Sequence, residues 1–331
     1  MTQAITLRDV QATARLIQSY IRRTPVADWV GLQLMKVLPE GTTVVAKLEI
    51  FQHSGTFKAR GALSNILRLT DRQKANGITA MSAGNHAVAV AYAAAAAGVD
   101  AKLVMQSSAN PARIEMARSF GARLLIAEDG PTGFAMAEEI AKNENRAFIH
   151  PFDGADTARG TATLGQEFNE QVGDVDVLII AIGGGALAGG VSAVTKLLNP
   201  NCHIIGVEPF GADSMYRSFK SGKAETIGVP KTIADSLGPP MTLPYPFELC
   251  RNNVDDIVRV TDEELKEAMR LIFNDLKLAV EPACAATTAA LLKVALSHAG
   301  KRIGIVLCGS NIDWQTYRSY VDDANATSAS T

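Results

Sequence analysis

Short apolar runs alternate with amphipathic stretches along most of the chain. Residues 43–48 and 175–182 are continuous apolar or β-branched runs, which predict buried strands. Residues 163–171 have a helical pattern, and residues 85–97 are mostly alanine and are closed by Gly98, which predicts a second helix. The alternation of strands and helices recurs throughout the chain. It predicts an α/β fold with parallel sheets and right-handed crossovers.

Local signals mark where several helices begin. Thr6 and Thr261 each precede an acidic residue by three positions, the spacing of a capping box, which predicts helices over 7–22 and 262–276. Residues 222–256 are rich in glycine and proline, so an extended excursion without regular elements is expected there. The two series of strands and helices have no low-complexity linker between them, which predicts two packed domains.

Composition narrows the function classes. The chain has 331 residues, of which 47% are hydrophobic and 20% are charged, as expected for a globular protein with a sizeable core. The net charge of −2 gives no reason to expect a nucleic acid or an anionic membrane as partner. The first ten residues lack the pattern of a secretory signal. The four cysteines are scattered, which disfavours a zinc or disulfide framework and favours a reduced, cytoplasmic setting.

Four unusual loops follow predicted strands. They are residues 54–62 (SGTFKARGA), 82–86 (SAGNH), 183–187 (GGGAL) and 308–311 (CGSN). In open α/β sheets, ligands bind beyond the carboxyl ends of the strands. We therefore expect the functional site where these loops meet.

Lys58 is the central candidate. It lies among small and hydroxyl residues just before a helical pattern. Small neighbours allow a cofactor to approach closely, and partial burial lowers the pKa of a lysine amine and makes it a nucleophile. The alternative is a surface lysine at a helix N-terminus.

The other loops have chemistry of their own. The amides of residues 183–187 can converge on a phosphate at a helix N-terminus, although glycine there could simply allow close helix–sheet packing. Asn85 could bond a phenolate-like oxygen, and the amides of residues 82–86 could hold a carboxylate; the alternative is an ordinary helix cap. His86 could be structural, and Cys308 could be an ordinary buried cysteine.

In this order the loops resemble those of the fold-type II pyridoxal-phosphate enzymes, in the branch of threonine and serine dehydratases and serine racemase. The resemblance covers residues 5 to about 320. It implies two doubly wound open α/β domains of the tryptophan-synthase-β-like kind. It also implies a large cofactor-binding domain formed by residues 1–52 and 151–331, and a small domain formed by residues 53–150 with its core at 76–150.

The resemblance implies a role for each loop. Lys58 would hold pyridoxal 5′-phosphate as a Schiff base and then remove the Cα proton of the substrate. Cofactor binding is implied for Phe57, Lys58, Asn85, Gly183, Gly184, Gly185, Ala186, Leu187 and Cys308, and substrate binding for Ser82, Ala83, Gly84, Asn85 and His86. The implied activity is that of a dehydratase (ammonia-lyase), which converts an L-β-hydroxy-α-amino acid of the threonine or serine type to a 2-keto acid and ammonia. Relatives are commonly homodimers.

Departures from the family pattern narrow the expectation. Ala83 replaces the serine that serves racemases as a second acid–base, so little racemase activity is expected. The cation site of relatives falls on Glu208, Ala212 and Ser214, where serine in place of a carboxylate weakens binding of magnesium or another cation. No arginine stands at residues 131–134, where some members carry one near the substrate. This disfavours a second carboxylate on the substrate and leaves 3-phenylserine open.

Other functions remain possible at this point. The same chemistry on 3-hydroxyaspartate or 3-phenylserine, and an amino-acid racemase, are the alternatives within the same branch. A β-replacement synthase shares the fold. An NAD-dependent dehydrogenase would use the glycines of residues 183–190, and a catalytically inactive relative would act by binding alone.

Overall fold

The computed structural model describes residues 4–82 and 84–322, and these residues form two separate β-sheets. The larger sheet contains, in spatial order, β1 (Val26–Asp28), β2 (Thr43–Leu48), β10 (Arg302–Leu307), β7 (Val177–Ala181), β8 (His203–Pro209) and β9 (Asp256–Val260). The smaller sheet contains β5 (Arg123–Ala127), β4 (Ala101–Gln106), β3 (Ile78–Met81) and β6 (Ala147–Phe148). Neighbouring strands are parallel except for β1 and β2. The predicted α/β class with parallel sheets is confirmed.

Helices connect the strands of both sheets. In chain order they are α1 (Leu7–Ile17), α2 (Leu32–Met35), α3 (Lys58–Ile66), α4 (Asp71–Asn76), α5 (Asn85–Ala97), α6 (Pro111–Ser119), α7 (Gly130–Asn143), α8 (Ala155–Val172), α9 (Ala186–Leu198), α10 (Ser214–Ser221), α11 (Pro244–Asn253), α12 (Asp262–Leu276), α13 (Pro282–Val294) and α14 (Trp314–Asp322). Short 3-10 turns lie at Glu49–Phe51, Asp235–Leu237 and Ala295–His298.

The central strands are buried on both faces. All five residues of β7 and all four of β3 are buried, which is why these strands are apolar rather than alternating. In α5, nine residues are buried, most of them alanine, and their small side chains let the helix lie close to β3 and β4. Each sheet therefore has its own apolar core, as the hydrophobic pattern predicts.

Both predicted capping boxes are confirmed. The Thr6 and Thr261 hydroxyls each accept a bond from the third helical amide, and the acidic side chain at that position bonds back. Helix α12 spans the predicted residues. Helix α1 is shorter than predicted and ends at Ile17, where the chain turns toward Pro25.

Helix α8 begins at Ala155 rather than at residue 163. Its first half contains glycine and threonine, which are weak helix formers in isolation. Gly160 lies against α3 so closely that a Cβ there would fall 2.5 Å from the carbonyl oxygen of Arg60. Close packing of the two helices therefore decides the conformation, and the local propensity does not.

We predicted no regular elements over residues 222–256, and this prediction is wrong for the second half of the segment. Helix α11 begins with Pro244, and strand β9 adds an edge to the larger sheet. Proline is well tolerated in the first turn of a helix, because the amides of that turn have no partner within the helix. The proline-rich composition therefore marks a helix start and not a continuous loop.

The smaller sheet draws its strands from residues 78–148, and the larger sheet draws its strands from residues 26–48 and 177–307. The predicted domain boundaries remain predictions. None of the helices within residues 4–82 and 84–322 combines the length and hydrophobicity needed to cross a bilayer.

Candidate active site

Three adjacent strands of the larger sheet deliver three of the four predicted loops. Strands β2, β10 and β7 are neighbours and run parallel, so the segments that follow them leave the same edge of the sheet. The Phe57 amide donates to the carbonyl of Cys308 at 3.1 Å, and the Ser310 amide donates to the carbonyl of Gly55 at 3.1 Å. The lysine stretch and the Cys308 turn are thus held together by their backbones.

The fourth loop arrives from the smaller sheet, where β3 leads through Ser82 into α5. The four loops together border one cleft. It is lined by Phe57, Lys58, Asn85, Phe152, Ala181, Gly183, Gly184, Gly185, Ala186, Leu187, Ser236, Leu237, Glu281, Ala283 and Cys308. All nine residues that the resemblance assigns to the cofactor therefore meet at one place.

Lys58 is the first residue of α3, and its side chain enters the cleft. Its Nζ donates to the carbonyl of Pro151 at 3.2 Å. Burial lowers the pKa of Lys58 to about 8, although Cys308 and Glu281 act in the opposite direction. A substantial neutral fraction therefore exists near pH 8, as nucleophilic attack and proton abstraction both require.

A buried ionic group lies just behind Lys58. Arg60 donates to Glu49 through Nε at 2.9 Å and Nη2 at 2.8 Å, and to Glu167 at 3.1 Å. Lys47 Nζ donates to the same Glu167 at 2.5 Å. We call Lys47, Glu49, Arg60 and Glu167 the Arg60 cluster. Its two cations and two carboxylates link β2, α3 and α8. They therefore hold α3, which begins with Lys58, in position.

The glycine loop lies at the N-terminus of α9. Gly185 has a φ of +95°, a conformation that favours glycine. A Cβ on Gly184 would collide with the ring of Phe152, so this position admits no side chain. The free amides at the start of α9 give the loop a positive partial charge. This cradle suits a phosphate, and with Lys58 and Asn85 opposite it, the lining fits a pyridoxal-phosphate cofactor.

Asn85 is the first residue of α5, and three hydrogen bonds fix the position of its side-chain amide. Its Nδ2 donates to Glu281 at 2.7 Å and to Ser236 at 3.0 Å, and its Oδ1 accepts from Asn311 at 2.9 Å. Asn311 in turn donates to the carbonyl of Ser54 at 2.8 Å. The side chain that is predicted to face the cofactor hydroxyl is therefore oriented by residues that connect or follow strands of the larger sheet.

A second buried arginine spans the two sheets. Arg113 of α6 donates to the carbonyl of Asn311 at 2.9 Å, to Glu281 at 3.2 Å and to Asp235 at 2.5 Å. We call Arg113, Asp235, Glu281 and Asn311 the Arg113 cluster. Burial raises the pKa of Glu281 despite the opposing charge of Arg113. A Cβ on Gly84 would fall 2.6 Å from Nη1 of Arg113, so the guanidinium also supports the loop before α5.

The loop before α5 is only partly described. The Gly84 amide donates to Ser82 Oγ at 3.0 Å, and Ala83 lies outside the described residues. The His86 ring does not line the cleft, because its Nε2 bonds the carbonyl of Ile149 at 2.9 Å. Burial and the nearby Lys58 lower the pKa of His86 to about 3, so its ring is neutral.

Cys308 presents a neutral thiol. A hydrogen bond with Cys284 and burial raise its pKa well above the usual value. A neutral thiol beside a pyridine nitrogen does not stabilise a protonated ring as a carboxylate would. Ala283, at the start of α13, completes this side of the cleft.

The structure gives the predicted cation site no support. The predicted ligands were Glu208, Ala212 and Ser214. Both oxygens of Glu208 accept backbone bonds instead, from Met215 at 2.9 Å and from Tyr216 at 2.7 Å. Burial raises the pKa of Glu208 to about 8. The carboxyl group thus caps α10, and the described residues contain no cluster of three metal-ligating side chains.

The neighbouring carboxylate already has its counter-charges. Asp213 is buried and accepts from Arg217 at 2.7 Å and from Arg259 at 2.9 Å. The Arg259 guanidinium lies 3.9 Å from the ring centre of Tyr216 and 4.5 Å from that of Phe210. An arginine therefore supplies positive charge next to the predicted cation site.

Several residues at the site were not predicted. Glu281 belongs to the Val280-Glu281-Pro282 motif, and its acidic side chain within an apolar segment was a signal, but no role followed from it. Arg113 follows the recognised helix start Asn110-Pro111, and nothing in its local sequence marks it as buried. Ser236 lies in the proline-rich segment that we expected to be irregular.

Comparisons with known proteins find similar sequences along nearly the whole chain. The family described as pyridoxal-phosphate dependent enzyme matches residues 17–309. Phenylserine dehydratase of Ralstonia pickettii is 51% identical over 329 residues, covering 97% of this chain and 99% of the relative. L-threo-3-hydroxyaspartate ammonia-lyase of Saccharomyces cerevisiae is 34% identical and covers 96% of both chains.

A solved structure extends the similarity to three dimensions. Maize serine racemase superposes with a TM-score of 0.90 at 31% identity, covering 98% of this chain and 99% of the other. The structural similarity thus extends over nearly the whole chain.

Proposed function

The chain belongs to the pyridoxal-phosphate dependent enzymes, and we propose from this that it is a dehydratase (ammonia-lyase) of a β-hydroxy-α-amino acid. The observation that carries the proposal is the position of Lys58, whose pKa is lowered to about 8 in a cleft that also contains the glycine cradle and Cys308. The relatives named phenylserine dehydratase and hydroxyaspartate ammonia-lyase support the same reaction class.

The chain's own residues would hold the cofactor from four sides. Lys58 would bond its carbonyl carbon, the amides of 183–187 its phosphate, and Asn85 its ring hydroxyl, with Cys308 beside the ring nitrogen. When bound, the cofactor supplies the electron sink for a carbanion at Cα of the substrate. The neutral thiol of Cys308 would leave the ring nitrogen without a stabilised proton, which suits elimination better than chemistry that needs a full carbanion sink.

Two further tasks fall to the protein. The Lys58 amine, neutral near pH 8, would take the Cα proton of the substrate. The amides at the start of α5, at residues 82–86, would hold the substrate carboxylate, because a helix N-terminus favours an anion. The Glu281–Asn85 bond fixes the loop while this happens. Loss of the β-hydroxyl and hydrolysis then release a 2-keto acid and ammonia.

We propose 3-phenylserine as the preferred substrate. The similarity to phenylserine dehydratase extends over almost the whole chain. The cleft lining is also largely apolar and includes the phenyl rings of Phe57 and Phe152. L-Threonine and L-serine are slower substrates in this proposal, and 3-hydroxyaspartate is the poorest. Ala83 keeps racemase activity low.

A substrate panel tests the proposal. The purified holoenzyme is given L-threo-3-phenylserine, L-threonine, L-serine and 3-hydroxyaspartate, and both the keto acid and ammonia are measured. We expect both products in equal amounts, fastest from 3-phenylserine. Turnover of none of the four contradicts the proposed activity. A D-amino acid formed from L-serine as fast as pyruvate contradicts the elimination preference.

The assembly and location belong to the same proposal. Val30, Leu32 and Met35 expose 76%, 78% and 60% of their surface on and beside α2, which packs against α12. A homodimer that covers this apolar surface agrees with the relatives' common state. A cytoplasmic location is proposed from the four free cysteines.

A further inference from the structure

A single side chain, Arg113, bonds two of the three residues that hold the Asn85 amide. Arg113 Nη2 donates to Glu281 Oε2 at 3.2 Å, and the other oxygen of Glu281 accepts from Asn85 at 2.7 Å. Arg113 Nε donates to the carbonyl of Asn311 at 2.9 Å, and the Asn311 side chain donates to Asn85 Oδ1 at 2.9 Å. Two separate routes therefore lead from one guanidinium to both ends of the same amide.

Ser236 provides a third and weaker connection. Its hydroxyl accepts from Asn85 Nδ2 at 3.0 Å and lies 3.4 Å from Asp235 Oδ1. Arg113 donates to the two oxygens of Asp235 at 2.5 Å and 3.3 Å. Half of the Asp235 side chain is exposed, so this connection is less rigid than the two enclosed ones. Every group that bonds the Asn85 amide is thus linked to Arg113.

These hydrogen bonds permit only one orientation of the Asn85 amide. Asn311 Nδ2 also donates to the carbonyl of Ser54 at 2.8 Å, so it is a donor and must face the oxygen of Asn85. Turning the Asn85 amide over would bring two donors together there and would place its oxygen against Glu281. Glu281 belongs to the cleft lining and Asn311 lies outside it. The NH2 group of Asn85 is therefore on the side of the cleft.

Arg113 acts on the cleft from outside its lining. Its side chain is 4% exposed, belongs to α6 and lies behind the loop before α5, where a Cβ on Gly84 would fall 2.6 Å from Nη1. Burial raises the pKa of Glu281, and the charge of Arg113 opposes this. Without Arg113, Glu281 would take up a proton more readily and could then donate to the Asn85 oxygen. The amide would no longer be restricted to one orientation.

We propose that Arg113 is a positioning residue for the cofactor, because it keeps the NH2 group of Asn85 turned toward the cleft. It acts through Glu281 and Asn311 and does not touch the cofactor itself. The NH2 group would donate to the ring oxygen of pyridoxal phosphate. The bond to Ser236 is the one that this oxygen would replace, because the Ser236 hydroxyl has a second partner. The inference rests on the proposed cofactor site and goes further, because it assigns a role to a residue outside the cleft lining.

The test is a double-mutant cycle on cofactor binding. Arg113→Gln, Asn85→Ala and the variant with both changes are compared with Arg146→Gln as a matched control. Arg146 is also enclosed and also bonds two carboxylates, Asp100 and Glu144, but it lies outside the cleft lining. Each holoenzyme is dialysed against graded concentrations of pyridoxal phosphate, and the bound cofactor is measured by its absorbance. We expect Arg113→Gln to raise the Kd about tenfold when Asn85 is present and less than about twofold in Asn85→Ala. Arg146→Gln should leave the Kd within about twofold of the wild type.

The absorption maximum of the bound cofactor supplies a second readout, because it reports the hydrogen bonds of the ring oxygen. We expect Arg113→Gln and Asn85→Ala to move it in the same direction, and the double variant to move it no further. If Arg113→Gln does not fold, Arg113→Lys, which keeps the charge but cannot make all the bonds of the guanidinium, takes its place in the cycle.

Two results overturn the inference. One is an unchanged Kd in the folded Arg113 variant, and the other is an equal rise in Kd with and without the Asn85 side chain, which would show that Arg113 does not act through Asn85. The binding is measured without substrate. A holoenzyme that gives the expected cycle but forms no keto acid therefore contradicts only the dehydratase proposal and supports the role of Arg113.

Discussion

Two buried arginines are each bonded to two carboxylates, and their surroundings differ. Arg60 and Glu49 are fully enclosed, and a second cation, Lys47, balances the second carboxylate. Arg113 is almost as buried, but its partner Asp235 has half of its side chain exposed. The Arg60 cluster is closed, with two cations for two carboxylates, whereas the Arg113 cluster is open to solvent at Asp235.

The acids in the two clusters respond in opposite directions. Burial disfavours the charged form of both Glu49 and Glu281. Arg60 and Thr24 outweigh this at Glu49 and hold its pKa below the usual value. Arg113 does not outweigh it at Glu281, whose pKa is raised. The comparison indicates that the Arg60 cluster holds the fold around Lys58, whereas the Arg113 cluster adjusts the cleft and carries less of the stability.

The same substitution in both clusters gives the largest expected effect. Glu49→Gln removes the negative charge from the buried Arg60–Glu49 ion pair and leaves the Arg60 cation only partly compensated. We therefore expect a loss of about 3–5 kcal/mol in the free energy of unfolding. Glu281→Gln replaces a carboxyl group whose pKa burial raises, so less of its negative charge is at stake, and the change should cost about 1 kcal/mol. Urea unfolding measures both values, with Glu170→Gln as the control for an exposed pair. Equal losses of unfolding free energy in Glu49→Gln and Glu281→Gln would contradict the proposed difference between the two clusters.

His86 shows what a buried group does when it has no charged partner. Its folded pKa of about 3 lies below the usual 6.5, so the unfolded chain takes up a proton first as the pH falls. The stabilisation is complete above pH 6.5 and is lost as the pH falls toward 3, by up to about 1.4 kcal/mol per pH unit. In His86→Gln, which can still donate to Ile149, we expect the slope of unfolding free energy against pH to fall by up to one proton. An unchanged slope between pH 6 and 4 contradicts this account.

Asp235→Asn sharpens the role of the Arg113 cluster. The substitution removes the charge of Asp235, the exposed partner of Arg113, while the Arg113–Glu281 ion pair remains. We expect stability to change by less than about 1 kcal/mol and kcat/KM for 3-phenylserine to fall about tenfold, because Ser236 and Asn85 lose their fixed positions. Asp100→Asn is the control, since Asp100 also pairs with two arginines but lies outside the cleft lining. If Asp235→Asn lowers stability and leaves kcat/KM unchanged, the two clusters do not divide their tasks in this way.

The smallest expected effect concerns metal ions. Glu208 already accepts two backbone amides, and Asp213 already pairs with two arginines. We therefore expect the dehydratase rate to change by less than about twofold when EDTA is added or magnesium is supplied. Loss of most of the activity on chelation, restored by magnesium, would instead support a cation site.

The difference between the clusters also explains what the sequence could predict. The strands, the helix caps and the loops at strand ends follow from patterns within a few residues, and they place Lys58, Asn85 and Cys308 beyond the carboxyl ends of strands. The partners of Arg113 lie 122 to 198 positions away along the chain. No local pattern indicates such contacts, because they depend on how the two sheets face each other.

The helix start at Ala155 illustrates the same limit within secondary structure. Glycine and threonine argue against a helix there, and only the close approach of α3 at Gly160 makes it favourable. The sequence predicts the chemistry of Lys58, Asn85 and the glycine loop because residue type limits what each can do. It does not predict the second set of residues, such as Glu281 and Ser236, that orients them.

The most direct test of the central claim is to identify the lysine that bonds the cofactor. The yellow holoenzyme is reduced with borohydride and digested, and the masses of the peptides are measured by mass spectrometry. The Lys58→Ala variant is treated in the same way as a control. We expect the cofactor mass on the peptide that contains Lys58, and neither that label nor keto-acid formation in the variant. A label on another lysine, such as the buried Lys47, or full activity in Lys58→Ala, would contradict the account.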